Sequence, residues 1–224
     1  MKRNDDILYF RYSSYPLSSF YKTPFSQYTA PVRYILNQEA DHDQFISKNE
    51  FDFISMNRLL WMEHVNWTRM TITSIVFNLP DLPFVQERLL RNATDLANCI
   101  RPYYGDQIAN QYEGLLKEHL VIAAQLVTAA VKGDSTTVEE KEKAWFKNAD
   151  EIVAFWSSIN PYINKEELKE MFYTHLTLTK SEAVNMIEKN YKVDIEVFDK
   201  IEEQALEMGD MIAEAIIKQF PQYF

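Results

Sequence analysis

Glycine is scarce in this chain: four occur among 224 residues, at positions 105, 114, 133 and 209. Sheets and barrels use glycine at many of their turns, because tight turns need backbone conformations that other residues adopt poorly. The eight prolines fall in the N-terminal segment or between and after stretches of helical periodicity, where a helix has to end. These two patterns predict an all-α protein.

Cysteine and excess positive charge are scarce as well. The single cysteine, Cys99, excludes an internal disulfide and is typical of a reducing compartment. The net charge is −10, and residues 1–50 carry six basic and six acidic side chains, so residues 51–224 carry the whole excess. Nucleic acids and anionic membranes both require a cationic face. We therefore expect no nucleic-acid partner and no membrane partner.

Long hydrophobic runs are also missing. The longest apolar stretch, Leu120 to Val131, spans twelve residues and is interrupted by Gln125 and Thr128. That length is too short to cross a bilayer and is typical of a buried helix face. The first residues contain no apolar signal core. We expect a cytoplasmic location.

Residues 1–48 differ from the rest of the chain. They are rich in Tyr and Phe among Ser, Pro and Thr, without helical periodicity. This composition predicts an extended or disordered arm, followed by a helical bundle domain over residues 49–224. The arm either packs along the bundle or docks a protein partner through its aromatic residues.

From residue 49 onward the apolar residues recur at helical spacing. Six helices are predicted, at about residues 49–78, 84–100, 104–131, 135–158, 165–190 and 194–220. Their short connections make neighbouring helices antiparallel. The sequence thus predicts an up-and-down helical bundle.

An internal repeat marks three histidines. Each lies in a similar segment of two large apolar residues, a variable one, Glu or Thr, the histidine, and Val or Leu; these are His64, His119 and His175. They stand 55 and 56 residues apart. Large residues at i−4 and i+3 place each imidazole on the apolar stripe of its helix. We interpret the domain as three repeated helical hairpins with the imidazoles pointing inward.

The partner helix of each hairpin is predicted to add a polar residue. Arg91-Asn92-Ala93 matches Lys147-Asn148-Ala149, again 56 residues apart. Gly209-Asp210-Met211-Ile212 resembles Ala149-Asp150-Glu151-Ile152, and both aspartates stand eleven residues before a proline. This alignment predicts that Asp150 and Asp210 also point inward.

Imidazoles and carboxylates that meet inside a bundle are typical metal ligands. The predicted site consists of His64, His119, His175, Asp150 and Asp210, with iron, manganese or zinc as the metal. No Glu-x-x-His, His-Glu-x-x-His or paired-cysteine motif supports it. The alternative is a set of structural core histidines that duplication copied three times.

Several phrases resemble a family of small helical-bundle proteins from Bacillus-type Firmicutes over about residues 55–224. They include Glu63-His64-Val65-Asn66-Trp67-Thr68-Arg69, Arg101-Pro102-Tyr103-Tyr104-Gly105 and Glu118-His119-Leu120-Val121-Ile122. The chain is more distantly similar to the duplicated helical-bundle metalloproteins of Bacillus. That resemblance implies a metal held by histidine and carboxylate side chains.

Two functions follow as hypotheses. The first is a metal-binding helical bundle with an internal His/Asp site, whose reaction, if any, the sequence does not identify. The second is a structural or interaction protein without enzymatic activity, spore-associated in view of the resemblance. No nucleotide-binding loop or nucleophile motif adds a third.

Overall fold

The computed structural model describes residues 9–10 and 45–224. Residues 45–224 form five helices: α1 Lys48–Val76, α2 Leu82–Lys132, α3 Ser135–Ile159, α4 Lys165–Ile187 and α5 Tyr191–Gln219. A short 3₁₀ helix, Pro221–Tyr223, follows α5. The predicted all-α bundle is confirmed.

The first helix begins close to the predicted domain boundary. Ser47 caps α1 by accepting a hydrogen bond from the Glu50 amide, and the Glu50 carboxylate accepts one from the Ser47 amide. This reciprocal pair satisfies two backbone donors that a helix start leaves free. Just before it, strand β2 (Phe45–Ile46) pairs antiparallel with strand β1 (Tyr9–Phe10). The rest of the predicted arm lies outside the described residues.

Two of the six predicted helices, at 84–100 and 104–131, lie within α2. They are separated by a kink at Gly105, where the chain leaves helical conformation (φ 78°, ψ 175°). Glycine adopts this positive φ without steric cost. The two arms of α2 fold back on each other. This is shown by the Thr94 hydroxyl, which donates to the Glu113 carboxylate across the bend at 2.9 Å.

The helices close into a ring around one main core. Helix α1 packs against α2 and α5, α3 against α2 and α4, and α4 against α5. The bulkiest fully buried side chains come from all five helices and include Trp61, Tyr112, Trp156, Leu176 and Ile201. A smaller apolar cluster lies beside this core and contains Ile72, Ile75, Val127, Ala183 and Met186.

Helix α2 also has the length and composition of a membrane span. It contains an 18-residue window with a mean hydropathy of 1.4, of which 39% is buried inside the bundle. Core helices of soluble proteins have the same composition, so this observation is weak evidence for a membrane location.

Candidate functional site

The three repeat histidines lie together in the centre of the bundle. His64 comes from α1, His119 from the second arm of α2, and His175 from α4. Their exposed fractions are 4%, 3% and 4%. The ring centroids of His64 and His175 are 5.8 Å apart. We call these three residues, with the amides described next, the histidine layer.

A side-chain amide from the following helix holds each imidazole. Nδ1 lies 3.3 Å from the Asn92 Oδ1 in His64, 2.8 Å from the Asn148 Oδ1 in His119, and 2.9 Å from the Gln204 Oε1 in His175. Each amide nitrogen donates to the main-chain carbonyl four residues before its histidine; the acceptors are Leu60, Leu115 and Met171. The same two-bond clamp therefore occurs three times.

The clamp determines where each histidine carries its proton. A main-chain carbonyl can only accept, so it draws the amide nitrogen to itself and leaves the amide oxygen facing the imidazole. Because that oxygen also only accepts, Nδ1 must carry the hydrogen and donate. The neutral ring then has its lone pair on Nε2.

Burial keeps all three rings neutral. Burial, helped by the nearby His175 and His119, lowers the pKa of His64 to about 3. Burial likewise lowers the pKa of His119 and of His175 to about 4. The amide clamps act in the opposite direction in each case. At neutral pH the layer therefore holds three uncharged imidazoles.

One of the three Nε2 atoms is occupied. The Trp145 indole N–H donates to the His119 Nε2 at 3.0 Å. For His64 and His175, the ring hydrogen bonds within the described part of the chain are those of Nδ1. Within residues 45–224, no group of three or more His, Cys, Asp or Glu side chains is arranged to hold a metal ion. A metal would thus require a rearrangement of the layer, beginning with Trp145.

The structure does not bring Asp150 and Asp210 to the histidines. The Asp150 side chain is 45% exposed and contacts Lys169 at 2.9 Å and the Tyr173 hydroxyl at 3.1 Å. The Asp210 side chain is 32% exposed and accepts a two-pronged ion pair from Arg58. The prediction that these carboxylates point inward is wrong, because each is paired at the rim of the bundle.

A misaligned third repeat caused the error at Asp210. The spacing of 56 residues that relates Asn92 to Asn148 leads next to Gln204, and each of the three is followed by alanine. The alignment that matches Asp150 to Asp210 is shifted by four residues from this spacing, which is about one helical turn. A shift of one turn preserves much of the apolar pattern of a helix. Strict spacing could have found Gln204.

A second buried polar cluster lies outside the predicted site. Arg69 donates to the Glu182 carboxylate at 2.6 Å and to both oxygens of Asp194, at 3.0 and 2.8 Å. The carboxylates of Glu182 and Asp194 are 1% and 4% exposed. Burial raises the pKa of Glu182 to about 7 against the lowering effect of Arg69. Glu182 lies two turns beyond His175, so this cluster connects α1, α4 and α5 beside the histidine layer.

Comparisons with protein-family models, with curated proteins and with solved structures gave no match to this chain. The resemblance to helical-bundle proteins of Bacillus-type Firmicutes stays a prediction.

Proposed function

We propose that this protein binds one transition-metal ion through His64, His119 and His175. The observation that carries the proposal is the amide clamp on Nδ1, which recurs at all three histidines. Histidines that ligate metals almost always donate their other ring N–H to an acceptor, which orients the ring and directs the Nε2 lone pair. Asp150 and Asp210 are no part of the proposed site.

The electrostatics support a ligand role. Metal ligation needs a neutral imidazole, and burial holds the pKa of all three rings at about 3 to 4. Nitrogen ligands suit zinc and iron better than manganese, which prefers oxygen. Three imidazoles with an open fourth position are also typical of catalytic zinc sites. We therefore favour zinc or iron.

We further infer that the domain consists of three copies of one hairpin. In each copy a helix supplies the histidine and the next helical segment supplies the amide 28 or 29 residues later. A repeated metal ligand would explain why three copies keep the same polar pair in a buried position. The same hydrogen bonds would also hold the histidines in place as purely structural core residues. A structural role is therefore the second candidate function.

Trp145 favours the structural alternative, because its indole N–H already donates to the Nε2 of His119. Metal binding would have to displace this hydrogen bond. Trp145→Phe keeps an aromatic ring and removes the donor. If the histidines bind metal, this variant should bind zinc several-fold more tightly than the wild type, since one net hydrogen bond of about 1 kcal/mol no longer competes.

Metal content of protein purified without a histidine tag provides the direct test. We expect about one equivalent of metal in the wild type and almost none in His119→Ala. Asp150→Asn and Asp210→Asn are matched controls and should keep the metal, because both carboxylates are paired away from the layer.

Thermal stability distinguishes the two candidate functions. A bound metal stabilises only the folded protein, so His119→Ala should abolish the metal-dependent rise in Tm. A structural histidine would behave differently: its loss would destabilise the protein by about 1–3 kcal/mol with or without metal, because a buried partner is left unpaired. Wild-type protein without stoichiometric metal that takes up none on titration would overturn the proposal.

A further inference from the structure

Ion pairs close two of the three junctions between the hairpins. The hairpins are α1 with the first arm of α2, the second arm of α2 with α3, and α4 with α5. In the first hairpin, the fifth residue after the histidine is Arg69, which bonds to Glu182 and Asp194 of the third. In the third hairpin the same position is Lys180, which pairs with Glu142 of the second at 2.5 Å. A cation at this position therefore joins each of these two hairpins to its neighbour.

At the junction between the first and second hairpins, the corresponding residues are uncharged. Ala124 occupies the cationic position of the second hairpin. Gln86 of the first hairpin stands where Glu142 stands in the second, six residues before the clamping asparagine. A groove of about 590 Å³ lies between these two hairpins, and Ala124 and Gln86 both line it. We call it the junction groove.

The junction groove is apolar along one part and polar near the turn between α2 and α3. Leu89 and Leu90 of the first arm of α2, with Leu120 and Val121 of the second arm, line the apolar part. Lys132 lines the polar end, twelve residues after Leu120, which is about 18 Å along the helix. The volume of the groove lies within the range of about 300–1,000 Å³ that is typical of small-molecule sites.

The polar end favours an anion, although the protein as a whole is acidic. Lys132 and Lys141 line it, and Lys141 contacts its exposed neighbour Glu140 at 3.4 Å. Among the described residues of the lining, Asp134 is the one carboxylate, and it accepts hydrogen bonds from the Thr137 amide and hydroxyl at 3.1 and 2.6 Å. Two lysines and one aspartate give the lining a net charge of +1, against −10 for the whole chain.

We propose that the junction groove binds a small monocarboxylate with an apolar body, such as a medium-chain fatty acid. The carboxylate would lie between Lys132 and Lys141, and the chain would pack against Leu90, Leu120 and Val121. Removing the chain from water supplies affinity, and the two ammonium groups select the charged end. The groove lies between other side chains than the histidine layer, so this binding is tested on chelator-treated protein and is independent of metal.

Methyl NMR of the full chain provides the test, with octanoate and octan-1-ol as probes. Octan-1-ol has the same chain without the charge and tests the apolar wall alone. Octanoate should shift the methyl signals of Leu90 and Val121 in a saturable way and leave those of Ile201, buried in α5, unchanged. Octanoate that gives no saturable shift, or shifts spread evenly over the protein, would overturn the site.

Replacing the lysines tests the position of the carboxylate. Lys132→Met and Lys141→Met keep most of the aliphatic stem and remove the charge. Each should weaken octanoate binding by about two- to fivefold, the usual strength of a partly exposed ion pair, and leave octan-1-ol binding unchanged. Lys192→Met is the matched control, because this side chain is 90% exposed on α5, outside the groove. Equal weakening of both probes, or the same effect from Lys192→Met, would overturn the role of the two lysines.

Closing the groove should weaken the binding of both probes at least tenfold. Gln86→Glu combined with Ala124→Lys introduces the charge pair that joins the second and third hairpins. Val121→Trp is a second closing variant if the first does not fold, because Val121 is exposed and tolerates a larger side chain. Val131→Trp is its control, an equal enlargement of an exposed residue of α2 outside the groove. A folded closing variant that binds both probes like the wild type would show that they bind elsewhere.

Discussion

At the scale of single residues, side-chain amides determine the chemistry of the buried histidines. Asn92, Asn148 and Gln204 each bond to a main-chain carbonyl on one side and to an imidazole on the other. An aspartate in the same position would add a buried charge and favour a protonated ring. The amides orient the rings and leave them neutral, which suits either a metal ligand or a packed polar layer.

The neutral histidines make the protein sensitive to acid. Their pKa values are about 3 to 4 in the folded state, against about 6.5 for an ordinary histidine, so the unfolded chain binds protons first as the pH falls. The neutral histidines contribute fully to the free energy of unfolding above pH 6.5, and this contribution is lost as the pH falls towards 4. In this range each histidine changes the free energy of unfolding by up to about 1.4 kcal/mol per pH unit.

Glu182 acts in the opposite direction. Its pKa is raised to about 7 in the folded protein, so its contribution is present at acid pH and is lost as the pH rises towards 7. Three histidines outweigh one glutamate, and we expect the free energy of unfolding, measured with urea on chelator-treated protein, to fall between pH 7 and pH 5. Glu182→Gln should make that fall steeper. Equal stability at the two pH values would contradict neutral buried histidines.

At the scale of helices, small residues are required where two helices approach each other closely. A Cβ added at Gly209 on α5 would lie 2.6 Å from the Trp61 Cδ1 of α1. The carbonyl of Gly209 also accepts a 2.6 Å hydrogen bond from the Asn57 amide. The bulky indole therefore packs directly on the backbone of the neighbouring helix, and glycine at this position brings α1 and α5 together.

Two glycine substitutions separate packing from helix propensity. Gly209→Ala should lower the free energy of unfolding by about 1–3 kcal/mol, because Trp61 or α5 must shift. Gly114→Ala is the control: nothing lies within 4 Å of its added Cβ, and alanine should stabilise the helix by up to about 1 kcal/mol. Urea unfolding measures both. The packing argument fails if the two variants change stability in the same direction.

At the scale of the whole molecule, the five helices of residues 48–219 close into a ring around the core. Contacts between α1 and α5 join the first helix to the last, and the capping box at Ser47 gives the bundle a defined start. Before the first helix, Tyr9 and Phe10 pair with Phe45 and Ile46 in a two-residue ladder.

We accordingly predict that a fragment of residues 45–224 folds on its own. Its Tm should fall by no more than about 4 °C, the shift that a loss of 1 kcal/mol produces in a domain of this size. Differential scanning calorimetry measures it, and proteolysis of the full chain should cut first within residues 1–44. If the fragment is unfolded by circular dichroism, the predicted aromatic arm belongs to the core, and its proposed role in docking a protein partner loses its basis.

The fold class and the burial of the histidines follow from local sequence patterns. Scarce glycine, prolines at helix ends and apolar residues at helical spacing all depend on local geometry, which neighbouring residues impose on one another. For the same reason His64, His119 and His175 could be assigned to apolar helix faces, and the structure buries all three.

Packing between helices determines what the histidines contact. Apolar periodicity leaves the alignment of two helices uncertain by a turn, so the pattern favours Asp210 although Gln204 is the partner of His175. The same pattern predicts that Asp150 faces inward, whereas Asp150 pairs with Lys169 at the surface. The fold-back of α2 at Gly105 and the indole of Trp145 on His119 likewise depend on packing between distant segments. Such contacts arise from the relative placement of helices, which a local pattern does not contain.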